Sequence, residues 1–239
     1  MNTDSLVASL EVFSARLFKV AASNETKVVG SCPGWELKDL VAHIGVVYGA
    51  VAGVIKEGSL ERPEVPFPNP PEKDVHEWAL ENHGVMMEIF KTIDPHTPVW
   101  TWGKDQNVAW FVRRITHETL IHMWDAETSV VDHITVDGEV ATDGVDEYIE
   151  GALQFSANPK KVFNYPNGSI HLHRTDGAGE WLLENSEDGL LVRREHAKGD
   201  VAVRSNAMNL LLFLWGRNPD GLEIFGDENI AGEWASLAP

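Results

Sequence analysis

The spacing of apolar residues changes along the chain, and this change restricts the fold more than any other feature. In the first half, apolar side chains recur every three or four residues, as they do along the stripe Leu6, Leu10, Phe13, Leu17 and Val20. In the second half, short runs alternate between apolar and polar residues. The first period is typical of amphipathic helices and the second of half-buried strands. The sequence therefore predicts a helical domain followed by a smaller domain that contains a sheet.

Three further helices are expected in the first half. The second begins near Trp35, after the turn cluster 31–34, and the others are expected at 75–93 and 108–131. The segment 62–73 is rich in proline and is predicted to be a loop, because proline does not fit inside a helix. Four helices with modest connections favour an antiparallel four-helix bundle over residues 1–135.

The second half, residues 136–239, is predicted to be a smaller α+β domain with an antiparallel sheet. Asp137-Gly138 has the composition of a turn, and helices are expected at about 143–155 and 206–215, the latter capped by Ser205. Four strands are predicted, at 169–174, 181–184, 190–194 and 200–204. The expected fold class is therefore α+β with two domains.

The charge of the chain excludes several classes of partner. The 239 residues include 19 Lys and Arg against 37 Asp and Glu, a formal net charge of -18. Such acidity argues against nucleic-acid binding and against docking on an anionic membrane. Cys32 is the one cysteine, which fits a reducing compartment, and the first residues lack the pattern of a secretory signal. A cytoplasmic protein, monomeric or homodimeric, is expected.

Ionisable residues form a stripe along the fourth predicted helix. Arg114, Glu118, His122 and Asp125 follow one another at helical spacing, and residues four apart lie about 40° apart around the axis. A carboxylate and an imidazole one turn apart can reach a single divalent ion. The alternative is an exposed helix on which Arg114 and Glu118 form an ordinary surface ion pair. This segment alone favours the alternative.

A third candidate ligand, His43, lies at the edge of the apolar face of the second helix. With Glu118 and His122 it would complete a set of two histidines and one carboxylate, which leaves a coordination position open for water or substrate. Asp39 is a candidate to hold the second ring nitrogen of His43, or only a carboxylate at the helix start. His171 and His173 share a strand face, but no third ligand is evident nearby, and solvent exposure is expected.

Three motifs resemble those of the mycothiol-dependent maleylpyruvate isomerase family. The first is Cys32-Pro33-Gly34-Trp35 followed by Asp39 and His43, the second runs from His117 to Glu127, and the third from Asn209 to Arg217 with Phe225-Gly226-Asp227. The resemblance implies a DinB-like four-helix bundle with a zinc-type ion on His43, Glu118 and His122, and a sterol-carrier-like C-terminal domain. It also implies mycothiol or a related thiol as cofactor, and maps a catalytic arginine onto Arg217.

The resemblance implies a metal-dependent and thiol-dependent enzyme acting on a small electrophilic substrate. Such an enzyme would be a cis-trans isomerase, or a transferase that releases the thiol adduct. Arg217 would bind a substrate carboxylate, or alternatively satisfy carbonyl groups at a helix end. Two other functions stay open at this point: a non-catalytic ligand-binding protein and a metal-dependent hydrolase that activates water. Asp125 is expected to orient a ligand or to pair with Arg114 rather than to bind the ion itself. Cys32 is expected to be a small packed residue, the alternative being a thiol activated by the helix dipole.

Overall fold

The computed structural model describes residues 1–64, 67–131, 134–158 and 160–238 and divides the chain into two compact units, Met1–Thr135 and Val136–Pro239. Among its described residues the first unit contains four helices: α1 (Thr3–Ala21), α2 (Leu37–Glu57), α3 (Val75–Thr92) and α4 (Val108–Thr128). These are the helices that the apolar spacing predicts. Two residues of the predicted proline-rich loop, Val65 and Pro66, lie outside the described residues.

Local sequence signals define where these helices begin. The side chains of Asn2 and Asn107 cap α1 and α4 by accepting hydrogen bonds from backbone N–H groups of the first turn. At α2, Glu36 and Asp39 form a capping box, in which each side chain accepts from the backbone N–H of the other residue. Asp39 therefore caps the start of α2, which is one of the two roles that the sequence analysis left open for it.

The helices of the first unit pack mainly in two pairs, α1 against α4 and α2 against α3, and α2 also contacts α4. One buried hydrogen bond fixes α2 against α4, between Tyr48 Oη and Thr119 Oγ1 at 2.9 Å. Thr119 follows Glu118 directly in the sequence. The bond therefore fixes the position of α2 along α4 beside the stripe of ionisable residues.

Helix α2 is long and apolar enough to cross a membrane by length and composition. In this unit, however, it packs against neighbouring helices, and 44% of its most apolar window is buried. Leu37, Leu40, Ile44 and Tyr48 are completely inaccessible to solvent. The same apolar composition is expected of a helix that supplies the core of a bundle.

The second unit contains a five-stranded sheet and three helices among its described residues. The helices are α5 (Gly138–Glu150), α6 (Ala207–Leu214) and α7 (Glu228–Ala235). The strands are β1 (Ile170–Arg174), β2 (Glu180–Ser186), β3 (Gly189–Arg193), β4 (Val201–Ser205) and β5 (Glu223–Gly226). In the sheet the strand order is β3-β2-β1-β4-β5.

The sheet is mixed, so the expectation of a purely antiparallel sheet was wrong in this respect. β1, β2 and β3 form antiparallel hairpins, but β4 lies on the other side of β1 and runs parallel to it, with Ile170 opposite Val201. Turn residues predict pairing only between strands that are consecutive in the chain. The connection from β3 to β4 has to pass to the far side of β1, and nothing in the local sequence records this.

Three local expectations for the second unit also need correction. Asp137-Gly138 is the start of α5 rather than a turn, because the Asp137 side chain accepts hydrogen bonds from the N–H groups of Glu139 and Val140. Ser205 ends β4, and the residue that caps α6 is Asn206. β5 and α7 were not predicted; both are short and β5 is largely exposed, which weakens the periodic signal.

Candidate metal centre

Three side chains from α2 and α4 converge in the first unit. His43 Nε2 lies 3.3 Å from Glu118 Oε1, and His122 Nε2 lies 3.4 Å from the same oxygen. The imidazole rings of His43 and His122 have centroids 4.9 Å apart. One ligand atom from each residue lies within 4.8 Å of the other two. The candidates on separate helices therefore come together as the sequence predicts.

Solvent access is graded across this group. The His122 side chain is 7% exposed and that of Glu118 is 17% exposed, whereas His43 on α2 is 35% exposed. The indole of Trp35 lies beside both histidines, with ring centroids 5.2 Å from His43 and 6.5 Å from His122. The centre is thus nearly buried on the α4 side and accessible to a small molecule on the His43 side.

Arg114 neutralises the carboxylate from the preceding turn of α4. Its Nη2 donates to Glu118 Oε2 at 3.0 Å, and the Arg114 side chain is only 7% exposed. The ion pair of the stripe therefore exists, but it is not the surface pair of the alternative interpretation. It leaves Glu118 Oε1 directed toward the two histidines.

Asp125 holds the other side of the His122 ring. Asp125 Oδ2 lies 3.0 Å from His122 Nδ1, and the carboxylate is completely buried. Ser31 Oγ donates to Asp125 Oδ1 at 2.5 Å, and Cys32 Sγ approaches Asp125 Oδ2 at 3.7 Å. A carboxylate on Nδ1 fixes the ring orientation and leaves Nε2 for a metal ion. The part of Ser31 was not predicted, although the residue adjoins the first motif.

The electrostatics of the centre favour positive charge between the carboxylates. Burial by itself would raise the pKa of Glu118, but hydrogen bonds with His122 and His43 and the charge of Arg114 hold it well below its usual range. Burial would lower the pKa of His122, yet bonds with Asp125, Cys32 and Glu118 raise it well above its usual range. A divalent cation would supply the charge that a proton on His122 otherwise provides.

The donor set fits a divalent metal ion of the zinc type. Two imidazole nitrogens and one carboxylate oxygen are common catalytic ligands of Zn²⁺, and they leave at least one position for an exogenous ligand. The carboxylate on the second nitrogen of His122 is the outer partner that such sites usually have. His117, the neighbour of Glu118, is fully buried in the helical packing and is not part of this group.

Arg217 lies in the second unit, just beyond the end of α6. Its Nη1 donates to the carbonyl of Trp215 at 2.7 Å, and its guanidinium carbon is 6.0 Å from the centroid of the Trp215 ring. The first contact is the carbonyl interaction at a helix end that the sequence left open as an alternative. A catalytic role for Arg217 stays a prediction.

Comparison with known proteins identifies the family. The model of the mycothiol maleylpyruvate isomerase N-terminal domain matches residues 8–127, half of the chain. The chain belongs to the mycothiol-dependent maleylpyruvate isomerase family. The match covers α2 and α4, which carry His43, Glu118 and His122.

Solved structures agree with this family at the level of the fold. A crystal structure of the mycothiol-dependent maleylpyruvate isomerase is 12% identical in sequence, with a TM-score of 0.61. A crystal structure of a histidine-to-alanine mutant of this isomerase is 10% identical, with a TM-score of 0.65. Each similarity covers 94% of this chain and 93% of the other. A comparison with curated proteins found no match.

Proposed function

We propose that this protein is a metal-dependent and mycothiol-dependent enzyme of the maleylpyruvate isomerase type. It would be a cytoplasmic cis-trans isomerase or thiol S-transferase that acts on a small electrophilic substrate. The observation that carries the proposal is the convergence of His43, Glu118 and His122 within 4.8 Å, in a chain of this family. These three residues would hold the ion, which we expect to be Zn²⁺.

A bound divalent ion would lower the pKa of a thiol and so provide a thiolate, the nucleophilic form, at neutral pH. The protein's own residues prepare the position. Asp125 orients His122, Arg114 orients Glu118, and the partial exposure of His43 leaves a side from which a thiol can approach. In an isomerase, thiolate addition to a conjugated cis double bond permits rotation, and thiolate departure then gives the trans isomer.

We further propose that Arg217 binds a carboxylate of the substrate, the role that its motif suggests. A guanidinium can donate two parallel hydrogen bonds to a carboxylate, which lysine cannot reproduce. The variant Arg217→Lys is therefore expected to raise KM for an anionic substrate by at least about tenfold, as the loss of one charge-assisted bond requires. An unchanged KM would contradict a substrate-binding role and favour the role at the end of α6, where Arg217 donates to the Trp215 carbonyl.

The decisive experiment is a screen of thiols and electrophiles, carried out with and without bound metal. Zinc-loaded protein is incubated with maleylpyruvate and related electrophiles, with mycothiol or with other low-molecular-weight thiols, and the products are followed spectroscopically. Turnover is expected only when metal and thiol are both present, and His122→Ala should abolish it. His96→Ala, which removes an exposed imidazole elsewhere in the same unit, is the matched control.

Two results would contradict the proposal. Hydrolysis of an ester or amide without thiol would indicate a hydrolase that uses the same residues to activate water. Tight binding of a thiol or electrophile without any turnover across the screen would indicate a ligand-binding protein.

A further inference from the structure

A second group of ligand-type side chains lies on the sheet of the second unit, apart from the residues of the proposed metal centre. We call it the sheet cluster; its members are His171, His173, Glu180 and His196. The sequence predicted that His171 and His173 are solvent-exposed and lack a third ligand. That expectation was wrong, because His171 is only 5% exposed and two further ligand-type residues lie beside the pair.

Strand geometry brings these residues together. His171 and His173 are two positions apart on β1, so their side chains leave the same face of the sheet. β2 pairs antiparallel with β1 and places Glu180 directly opposite His173. His196 follows β3, in the segment that leads to β4. β1 is paired on both edges, which holds the first two histidines on a rigid support.

The four side chains aim their polar atoms at one point. Glu180 Oε2 lies 2.5 Å from His171 Nε2, and Glu180 Oε1 lies 2.9 Å from His173 Nδ1. His196 Nδ1 is 3.1 Å from both carboxylate oxygens. One ligand atom from each of the four residues lies within 4.8 Å of the others. The sheet cluster thus offers three imidazole nitrogens, one more than the candidate metal centre of the first unit.

This donor set has a specific chemical preference. Imidazole nitrogen is a borderline-soft ligand, and three such nitrogens with one carboxylate oxygen suit tetrahedral Zn²⁺ rather than Mg²⁺ or Ca²⁺, which prefer oxygen ligands. We propose that the sheet cluster is a second binding site for a divalent transition-metal ion, with Zn²⁺ as the expected ion.

The exposure of the four side chains determines from which side an ion could reach the sheet cluster. The His196 side chain is 78% exposed, whereas that of His171 is 6% exposed, so an ion can enter from the His196 side. A surface hollow adjoins this side and includes Glu180, Trp181, Arg194 and His196 in its lining. A bound ion would fasten the segment around His196 to β1 and β2. Four protein ligands would fill a tetrahedral shell, which is typical of a structural site.

The test counts metal equivalents in the full-length protein. The protein is stripped with a chelator and titrated with Zn²⁺ by calorimetry, and the bound metal is checked by elemental analysis. Wild-type protein is expected to bind two equivalents. His122→Ala should remove the equivalent of the first unit and leave the second. Failure of the proposed function and failure of this site are thus distinguishable.

Two variants test the ligands without removing buried packing. His196→Ala and His173→Gln change residues that are exposed or half-buried, and each is expected to weaken the second equivalent by at least about tenfold. His96→Ala serves as the control, and circular dichroism checks the fold of each variant. The proposal is overturned if wild-type protein binds a single equivalent that His122→Ala removes. It is equally overturned if a second equivalent binds with unchanged affinity in both variants.

Discussion

Asp125 lies outside the proposed set of metal ligands but contacts one of them, His122. Its buried carboxylate is shared between His122 Nδ1 and the Ser31 hydroxyl, so the ring of His122 is held from behind. Asp125→Asn keeps the size of the side chain but removes its charge. We expect metal affinity to fall about 10- to 100-fold, the usual loss for an outer partner of a ligating histidine.

The measurement for Asp125→Asn is a competition titration against a zinc-binding dye. Asp105→Asn removes an exposed carboxylate of the same unit and should leave the affinity unchanged. If the two variants bind zinc equally well, Asp125 does not orient His122, and its contacts serve only to attach the segment around Ser31 to α4.

At the level of single residues, the sequence predicts only part of the site. Glu118 and His122 can be paired from helical spacing alone, because the spacing fixes their common face. That His43 joins them depends on how α2 packs against α4, and the first motif indicates it only through family resemblance. The sheet cluster escaped prediction for the same reason: Glu180 and His196 reach His171 through strand pairing and through the chain after β3.

Besides the contact of His43 with Glu118, a fully buried polar pair joins α2 to α4, namely Tyr48 and Thr119. Tyr48 and Thr119 are both fully buried, and burial raises the pKa of the Tyr48 hydroxyl, which therefore remains a neutral hydrogen-bonding group. Tyr48→Phe leaves Thr119 without this bond. We expect the free energy of unfolding to fall by about 1–3 kcal/mol, the cost of an unsatisfied buried polar group.

The Tyr48→Phe measurement is urea denaturation followed by circular dichroism, together with a zinc titration. Tyr165→Phe also removes a tyrosine hydroxyl, the one that donates to the Leu153 carbonyl of the second unit. Only the Tyr48 variant should alter zinc affinity, because of the two tyrosines it is Tyr48 that joins α2 to α4 next to the ligands. Equal effects of the two variants on zinc affinity would disprove this positioning role.

Helix α3 carries a histidine in an apolar setting. The His83 ring packs against Phe18 of α1 and Tyr48 of α2, with centroids 5.7 and 5.4 Å away. Burial lowers its pKa, while Glu11 and Lys91 act on it in opposite directions. As the pH falls below about 6.5, the unfolded chain takes up this proton before the folded protein does, so His83 lowers stability there.

We therefore expect His83→Gln to gain stability relative to wild type as the pH is lowered from about 7 through the folded-state pKa of His83. Above that window the variant should only show the constant cost of altered packing. Urea unfolding at several pH values measures the difference between the two proteins. A difference that does not change with pH would show that His83 is protonated equally in both states.

The elements themselves differ in how far the sequence determines them. α2, α3 and α4 are long and one-sided, so their apolar stripes predict them within a few residues. β5 spans four residues of mostly exposed chain, and it exists because β4 offers it an edge. The parallel pairing of β1 and β4 is likewise a contact between distant segments, which local turn residues cannot encode.

For the whole molecule, metal removal gives the most direct link between site and stability. An ion that binds only the folded state stabilises it by about 2.7 kcal/mol when its free concentration is 100 times its dissociation constant. The ion would join His43 on α2 to Glu118 on α4. Removing it with a chelator would therefore lower the free energy of unfolding of the first unit by that amount. The melting temperature should then fall on the order of 10 °C.

The sheet cluster would also release zinc to a chelator, so the two contributions have to be separated. In a His173→Gln/His196→Ala background the second site keeps two of its four ligands, so calorimetry with and without chelator reports mainly the first unit. Adding His122→Ala to this background should remove the chelator effect, because each site then keeps only two protein ligands. If the combined variant still loses stability on chelation by the same amount, the stabilising ion does not lie on His43, Glu118 and His122.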